Sequence, residues 1–478
     1  MRIVLLPNIG LSNVHADSDY YGYKKLIDVA TKFYDDMFFY YVVPQALVPK
    51  IEEMPRTKVI GIPEVRSFNT NEHVTSQEFW KHFTWACGDI LTDGMFTSRH
   101  HVGLYWKHAA VHNKRKYKYP VVFRQPVLVE FTRDEIDLYD AVYAMALVGC
   151  DSIIYGDESY ANAKDLVKKY LSPALIQLFE EKTMKMTVGL EIDYFDMLLK
   201  KNKKHEKFTL FYGTRFNSVK RVEKVYELYD RFYSSGRQID IIMTTPNGDL
   251  TLEKKAFTKE HLVGCIKYLY TSCGRQKYFE EASKCHAFLV TSEGENASNF
   301  IVEQLYLGLI GVFPDKKYVW EMIPKDYPFI YHSMEEAYMW LAEIERDYEG
   351  SLRKIEPTRE YIRTHYDKDL TFKAHVDHLR QVVMAQMNEN MTRNLNNEVF
   401  DIIREVALEF DEPFAFDTFV EILNKRMIKK VAYFGSEKLN GKEAIPYDIR
   451  LALERLGFRD TCESETPIFR KVQGASYE

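Results

Sequence analysis

Short apolar runs alternate with longer amphipathic stretches along the first part of the chain. The runs lack polar alternation, which is typical of strands buried on both faces of a parallel sheet. They lie at Arg2–Leu6, Phe38–Val43, Lys58–Ile62, Asp89–Leu91, Val121–Phe123 and Ser152–Tyr155. Segments of helical periodicity separate them, including Tyr23–Tyr34 and Asp134–Val148. The pattern predicts a doubly wound, Rossmann-like α/β domain over residues 1–195.

The same pattern begins again after a charged segment, Lys200–Lys207, which favours an exposed linker. The second series of apolar runs lies at Phe208–Tyr212, Ile239–Met243, Ala287–Thr291, Gly311–Phe313 and Phe329–Tyr331. A long helix over Leu370–Met387 closes a second α/β domain, at residues 205–387. Because such sheets bind ligands beyond the carboxyl ends of their strands, two facing domains predict a cleft.

A third pattern occupies residues 396–478. Three helical segments, Glu398–Phe410, Phe416–Lys425 and Tyr447–Leu456, precede two short strand-like runs. This is the order of a winged helix, although a small helical domain gives the same pattern. As a recognition helix, the third segment would present Arg450 and Arg455 to a major groove. Acidic residues outnumber basic ones here, so docking to a protein or dimerisation stays an alternative.

Composition narrows the function classes. Apolar residues make up 46% and charged residues 28% of the 478 residues, as in soluble globular proteins. A net charge of −6 does not suit a protein that coats nucleic acid without specificity. The six cysteines form no Cys-x-x-Cys pair, which argues against a zinc or redox motif. Since Arg2–Leu6 is too short for a signal or membrane-spanning segment, we expect a cytoplasmic protein.

Candidate chemistry follows the first run of the second domain, in the sequence FYGTRFNSVKR. The strand ends at Gly213, and Arg215 and Lys220 flank the turn into the next helix. Two cations at the carboxyl end of a strand, beside a helix amino terminus, can neutralise a diphosphate. The diphosphate of a nucleotide sugar gains charge as its glycosidic bond breaks. An exposed helix start with surface cations is the alternative interpretation.

Two carboxylates lie further along, in the sequence SEGENASNFIVEQLYLGLIGV. Glu295 and Glu303 are separated by seven residues, and a helix is predicted to begin between them. The amino end of that helix would direct free N–H groups at a phosphate. Glu303 could accept hydrogen bonds from ribose hydroxyls and Glu295 from sugar hydroxyls.

These residues together resemble the donor half of retaining GT-B glycosyltransferases, in the family of sucrose-synthase and mannosyltransferase relatives (family 4). The match covers roughly residues 205–315. The resemblance implies that Arg215 and Lys220 hold the diphosphate, that Glu295 contacts the transferred sugar and that Glu303 contacts the ribose. It also implies transfer with retention and without a metal or other cofactor. The further donor-site residues that it implies are Gly10, Gly213, Asn296, Ala297 and Ser298. The last three stand where the family usually has Gly-Phe-Gly.

Histidines in the first domain suggest an acceptor-side base. The loop after Asp89–Leu91 contains Asp93 and His100, and it should face the cleft. His100 or the adjacent His101 could take a proton from the acceptor hydroxyl, because imidazole titrates near neutrality. An ordinary polar loop is the alternative. His108 and His112 have the spacing of a zinc pair, but no third ligand is evident, so no metal site is predicted.

The segment Tyr105–Tyr119 interleaves aromatic residues with cations, a combination that suits bases and phosphates. Its cations are Lys107, Lys114, Arg115, Lys116 and Lys118. An exposed helix end is the alternative. With a C-terminal winged helix, this segment favours DNA as acceptor, specifically a hydroxymethylated pyrimidine, as for phage glycosyltransferases. A glycan, lipid or protein acceptor and a non-catalytic nucleotide-sugar or DNA-binding module remain the alternatives.

Overall fold

The structure of the chain is a computed structural model. It describes residues 1–9, 18–63, 92–99, 120–124, 138–185, 188–214, 220–245, 266–270, 273–295, 298–394, 397–423, 425, 445–464 and 467–472.

The first of two parallel sheets occupies the N-terminal part of the chain. Its strand order over the described residues is β3-β2-β1-β4-β5-β6-β7. The strands are β1 (Arg2–Leu6), β2 (Phe38–Pro44), β3 (Thr57–Ile62), β4 (Gly94–Thr97), β5 (Val121–Arg124), β6 (Ser152–Tyr155) and β7 (Thr183–Lys185). The associated helices are α1 (Ser18–Phe33), α2 (Leu138–Gly149), α3 (Asp157–Tyr170) and α4 (Pro173–Glu181), with a 3-10 helix at Gln45–Lys50. Every residue of β1 and β2 is buried, as expected for strands covered on both faces.

The second sheet follows α5 (Ile192–Lys201), in the order β10-β9-β8-β11-β12-β13. Its strands are β8 (Thr209–Tyr212), β9 (Asp240–Thr245), β10 (Ile266–Tyr270), β11 (Ala287–Leu289), β12 (Ile310–Pro314) and β13 (Ile330–Tyr331). Its helices are α6 (Val222–Ser234), α7 (Gly274–Ser283), α8 (Asn299–Tyr306), α9 (Lys317–Trp320), α10 (Met334–Arg346) and α11 (Tyr348–His365). The two α/β units predicted from the hydrophobic pattern are therefore both present.

The charged segment between the two sheets is only partly exposed. Lys204 folds inward, and its Nζ donates to the carbonyl oxygens of Cys285, at 2.5 Å, and Gly308, at 3.3 Å. Burial lowers the pKa of Lys204 to about 8. The prediction of a fully exposed linker is wrong at this residue, because the ammonium satisfies carbonyl groups at the amino-end edge of the second sheet.

A long helix, α12 (Lys368–Asn394), extends beyond its predicted limits and returns to the first sheet. Its buried residues Phe372, Val376, Leu379 and Val383 belong to the same core as α1 and β1. Their spacing of three and four positions places them on one face of the helix. The helix that we assigned to the second domain therefore packs as part of the first.

His375 lies within the buried part of α12 and is fully buried. Neither ring nitrogen has a hydrogen-bond partner among the described residues. Burial lowers the pKa of His375 to about 3, and the nearby Arg124 and His378 contribute in the same direction. The imidazole is thus neutral in the folded protein, whereas the unfolded chain binds a proton near pH 6.5.

Replacing His375 with leucine is expected to weaken the acid sensitivity of folding. Below about pH 6.5 the unfolded chain binds a proton at His375 that the folded chain does not bind. The free energy of unfolding therefore keeps its full value above about pH 6.5 and falls as the pH is lowered toward about 3. Between pH 7 and pH 5 the wild type should lose about 2 kcal/mol more unfolding free energy than the variant, in urea denaturation. The exposed His332 supplies a control for replacing a histidine: His332→Gln should leave the free energy of unfolding at pH 7 within about 0.5 kcal/mol of wild type. Equal acid sensitivity of His375→Leu and wild type would contradict the prediction.

The C-terminal unit contains α13 (Asn397–Ala407), a helix over residues 416–423 and α14 (Ile445–Arg455). The short strands β14 (Phe414–Ala415), β15 (Phe458–Asp460) and β16 (Ile468–Lys471) form an antiparallel sheet in the order β14-β16-β15. The predicted order of helices followed by a β-ribbon is present, with one further strand before the second helix. An apolar cluster that includes Ile403, Phe419 and Phe469 forms its core.

Arg450 of α14 is buried against the first sheet and cannot reach a DNA groove. Its Nη2 lies 2.5 Å from Asp93 Oδ2, and neither side chain is exposed. Arg2 of β1 forms a second buried pair with Asp460 of β15, at 2.7 Å. The prediction that Arg450 binds nucleic acid is wrong, because these two ion pairs dock the C-terminal unit onto the amino-end edge of the first sheet. Arg455 is exposed, and its guanidinium stacks on Phe400 at 4.5 Å.

Asp93, the partner of Arg450, does not lie in the loop where it was predicted. Asp93 directly precedes β4, in which Gly94 lies opposite Ile3 of β1. The predicted strand Asp89–Leu91 lies outside the described residues. The Asp93 carboxylate also accepts a hydrogen bond from the Arg2 backbone nitrogen, at 2.6 Å. Asp93 therefore lies at the edge opposite to the predicted cleft, whereas Ser98 and Arg99 follow β4 at its carboxyl end.

Candidate functional site

Lys220 and Glu295 contact each other at the carboxyl-end edge of the second sheet. Their segments follow β8 and β11, which are neighbouring parallel strands. Lys220 Nζ donates a hydrogen bond to Glu295 Oε1. Less than a fifth of each side chain is exposed, at 18% for Lys220 and 15% for Glu295. The structure thus brings together a predicted diphosphate-binding cation and a predicted sugar-binding carboxylate that lie 75 positions apart.

Backbone and hydroxyl contacts hold this pair in place. The Lys220 carbonyl accepts hydrogen bonds from the Tyr212 hydroxyl, at 2.8 Å, and from the Thr291 hydroxyl, at 2.6 Å. The Ser292 hydroxyl donates to Glu295 Oε1 at 2.9 Å. The main chain of Lys220 therefore anchors the turn, while its ammonium lies beside the Glu295 carboxylate.

Glu303 is almost fully buried in the second turn of α8, where the guanidinium of Arg275 binds it. Arg275 is the second residue of α7, and sequence reasoning did not select it. Burial opposes the charge of Arg275, but Glu303 outweighs this effect and the pKa of Arg275 is raised. The signal available in the sequence was a lone arginine beside a glycine after an apolar run, which is too common to be informative.

Gly213 lies directly after β8, as predicted, and its neighbours explain why a glycine is needed there. A Cβ atom at this position would come within 2.2 Å of the Tyr278 hydroxyl and 2.8 Å of the Phe300 ring. The Tyr278 hydroxyl donates to the Gly213 carbonyl at 3.2 Å and accepts from the Gln304 side chain at 3.4 Å. Tyr278 therefore connects the turn after β8 to the helix that carries Glu303.

A second acidic residue of the same loop, Glu293, is surrounded by cations. Lys224, Arg221 and Lys316 lie 3.2, 3.3 and 3.5 Å from its carboxylate. Partial burial opposes ionisation, but these cations outweigh it and lower the pKa of Glu293. The sheet edge therefore carries more cations than Lys220 alone, and these cations come from segments that are separate in the sequence.

Several predicted site residues lie outside the described residues, and their roles stay predictions. They are Gly10, His100, Lys107, Lys114, Arg115, Lys116, Lys118, Arg215, Asn296 and Ala297. Ser298 is described: it is buried and immediately precedes α8, although its side chain does not cap the helix.

A buried polar network lies at the corresponding edge of the first sheet. Asp19, in the first turn of α1, accepts hydrogen bonds from the Asn8 backbone at 2.7 Å and from the Ser98 hydroxyl at 2.9 Å. Arg124 Nη1, at the end of β5, lies 3.2 Å from Asp19. The Tyr23 hydroxyl is 3.1 Å from that of Ser98. Because its members come from four separate segments, this network leaves no local pattern in the sequence.

The two α/β units meet where α1 contacts α7. The Arg275 guanidinium lies 4.6 Å from the ring centroid of Tyr21 in α1. One turn further along α1, the buried Lys25 donates to the Gly189 carbonyl at 2.5 Å. Burial lowers the pKa of Lys25 to about 8, and Arg275 acts in the same direction while Glu303 opposes it. The Glu303 carboxylate is thus close to the junction between the two units.

Two absences concern only the part of the chain that the structure describes. Within it, no three or more His, Cys, Asp or Glu side chains are grouped to hold a metal ion. No helix in these ranges has both the length and the apolar character needed to cross a bilayer.

Comparisons with known proteins identify the fold. No protein-family model and no curated protein sequence matches the chain. HepE of Anabaena, solved in complex with UDP, matches with a TM-score of 0.56 and 14% identity over 80% of this chain and 100% of that one. For sucrose-phosphate synthase of Thermosynechococcus elongatus the TM-score is 0.62 and the identity 13%, over 80% and 99% of the two chains. WaaG, a glycosyltransferase involved in lipopolysaccharide biosynthesis, gives 0.53 and 14%, over 79% and 99%. The chain has the GT-B fold, with two Rossmann-like domains and a small antiparallel sheet near its C-terminus.

Proposed function

We propose that this chain is a glycosyltransferase that moves a sugar from a nucleotide-sugar donor to an acceptor hydroxyl, with retention of anomeric configuration. The observation that carries the proposal is the contact between Lys220 and Glu295 at the carboxyl ends of β8 and β11. Open α/β sheets bind nucleotides at this edge. A cation that is partly exposed here can meet a diphosphate, and a carboxylate beside it can meet sugar hydroxyls.

The roles of the residues follow from the charge that develops during transfer. Lys220, together with Arg215, stabilises the negative charge on the leaving diphosphate, and it does so more strongly in the transition state than in the ground state. Glu295 accepts hydrogen bonds from the transferred sugar. Glu303 accepts from the ribose, and Gly213 keeps the turn after β8 close to Tyr278.

Uridine diphosphate sugars are the first donors to test. HepE, whose fold this chain shares, is solved in complex with UDP and with UDP-glucose. The cations around Glu293 add positive charge beside the proposed diphosphate position. No metal or other cofactor is needed in this proposal, because side-chain cations neutralise the leaving group.

For the acceptor, we keep the hypothesis of a hydroxymethylated pyrimidine in DNA. Arg450 no longer supports binding to DNA, because it is buried in an ion pair. The features that still favour DNA are the exposed Arg455, the basic segment at residues 105–119 and the winged-helix-like order of the C-terminal unit. His100 keeps its proposed role as acceptor-side base. A glycan, lipid or protein acceptor uses the same donor site, as would a binding module without turnover.

A panel of labelled nucleotide sugars tests the proposal directly. Slow hydrolysis of one donor without acceptor, or transfer to any acceptor, supports an enzyme. Label on duplex DNA that contains hydroxymethylpyrimidines, with none on unmodified DNA, supports the DNA acceptor. Donor binding in calorimetry without turnover on DNA, glycan, lipid or protein acceptors supports a binding module. Failure to bind or cleave every donor would refute the proposal, and NMR of the product's anomeric configuration tests retention.

A further inference from the structure

Arg275 occupies an unusual position between the proposed ribose site and the first domain. Its Nη2 donates a hydrogen bond to Glu303 Oε1, while about a quarter of the Arg275 side chain, 24%, remains exposed. Glu303 Oε2 accepts no hydrogen bond from the residues that the structure describes. The carboxylate assigned to the ribose is therefore already held by one of its two oxygens.

Two aromatic rings fix the guanidinium. Its carbon lies 4.6 Å from the ring centroid of Phe279, one turn further along α7, and 4.6 Å from that of Tyr21 in α1 of the first domain. A guanidinium is planar and loses little freedom when it is stacked and bound to a carboxylate. Glu303, α7 and α1 thus determine the orientation of Arg275 together, across the boundary between the two domains.

Neighbouring residues of α1 and α7 also contact the segment between the two sheets and the turn after β8. Lys25, one turn beyond Tyr21, donates to the Gly189 carbonyl in the segment that connects the two sheets. Tyr278, in the helix of Arg275, donates to the Gly213 carbonyl at the start of the proposed donor turn. Arg275 therefore lies between the turn that receives the donor and the contact that joins the domains.

The geometry points to Arg275 as a positioning residue for donor recognition. It holds Glu303 so that Oε2 accepts hydrogen bonds from the ribose hydroxyls, and its stacking on Tyr21 makes that orientation depend on contact between the two domains. This inference rests on the proposed function, since it needs a nucleotide at this site. It assigns ribose selectivity to a pair, Arg275 and Glu303, instead of to the carboxylate alone.

Calorimetry with UDP and 2′,3′-dideoxy-UDP measures this selectivity without an acceptor. The wild type should bind UDP about 10–100-fold more tightly, as expected for charge-assisted hydrogen bonds to the ribose hydroxyls. In Arg275→Leu the ratio of the two dissociation constants should fall below about threefold, because the unrestrained carboxylate no longer favours the ribose. Arg275→Lys should give an intermediate ratio, since an ammonium keeps the charge but lacks the planar fork.

Variants at Tyr21 test the link to the first domain. Tyr21→Phe retains the ring and should keep the wild-type ratio, whereas Tyr21→Ala should lower it. Arg237 provides a matched control. It is also a partly exposed arginine paired with a glutamate, Glu345, at 3.0 Å, so Arg237→Leu should leave the ratio unchanged.

The outcomes separate this inference from the proposed function. If Glu303→Ala removes the preference for UDP but Arg275→Leu keeps it with an unchanged circular dichroism spectrum, Arg275 does not position Glu303 and the inference is overturned. If the wild type itself shows no preference, the assignment of Glu303 to the ribose fails, and this inference fails with it. Should Arg275→Leu not fold, Arg275→Gln replaces it, with the same expected fall.

Discussion

Lys220→Ala is expected to lower kcat for sugar transfer by about 10²–10³-fold without unfolding the protein. The ammonium is proposed to meet the diphosphate as its charge rises, so its loss raises the free energy of the transition state more than that of the bound donor. The turn should keep its shape, because the Lys220 carbonyl, not the side chain, accepts the hydrogen bonds from Tyr212 and Thr291. Glu295 keeps the hydrogen bond from Ser292. Steady-state kinetics with the best donor of the panel provide the measurement.

A lysine at the opposite edge of the same strand provides the control. Lys207 precedes β8 and pairs with Asp240 at 2.5 Å, at the amino end of the sheet. Lys207→Ala should leave kcat within about twofold of wild type, since this charge lies away from the cleft. If Lys220→Ala were as active as Lys207→Ala, Lys220 would not contact the leaving group. Retention of part of the rate in Lys220→Arg would indicate that positive charge is the important property.

Arg450→Ala is expected to destabilise the protein by about 3–5 kcal/mol, as is typical when one partner of a buried ion pair is removed. Asp93 would keep a buried charge without its 2.5 Å partner, and Arg450 is also 3.3 Å from Glu454. The loss should appear in urea denaturation and as faster hydrogen exchange in α14. The double variant Asp93→Ala/Arg450→Met should recover part of it, because the unpaired carboxylate is then absent.

Arg455, on the same helix, provides the comparison that distinguishes a structural role from a role in nucleic-acid binding. Its guanidinium is exposed and stacks on Phe400, so Arg455→Ala should cost less than about 1 kcal/mol. If Arg450 served in DNA binding, Arg450→Ala would lower DNA affinity and leave stability unchanged. That result would contradict the docking role that the buried ion pairs indicate.

The fold class could be predicted because strands buried on both faces leave a local signature. β1 and β6 have the limits that the apolar runs indicated, Arg2–Leu6 and Ser152–Tyr155. β4 was not predicted because its sequence, GMFT, is short and begins with glycine, so that pairing with β1 defines it. The predicted strand Asp89–Leu91 lies outside the described residues. The long α12 was recognised as a helix, but its period alone could not tell which of two apolar cores it would join.

The candidate site was partly accessible from sequence for a related reason. The segments of Lys220 and Glu295 each follow an apolar run, and parallel neighbouring strands bring their carboxyl ends to one edge. Arg275 had no such signal. Its importance comes from the Glu303 carboxylate and the Tyr21 ring, which reach it from α8 and from the other domain. A single arginine in a helix does not reveal partners that lie far away in the chain.

The amino-acid sequence by itself determined the alternation of strands and helices, the existence of two parallel sheets and the edge at which Lys220 and Glu295 meet. These properties depend on local periodicity and on the common direction of the strands. Only the tertiary structure decided that Arg450 is buried against Asp93, that α12 packs on the first sheet and that Arg275 connects Glu303 to Tyr21. The contacts of Arg450 with Asp93 and of Arg275 with Tyr21 join side chains hundreds of positions apart. The partner of a buried charge depends on which surfaces pack together.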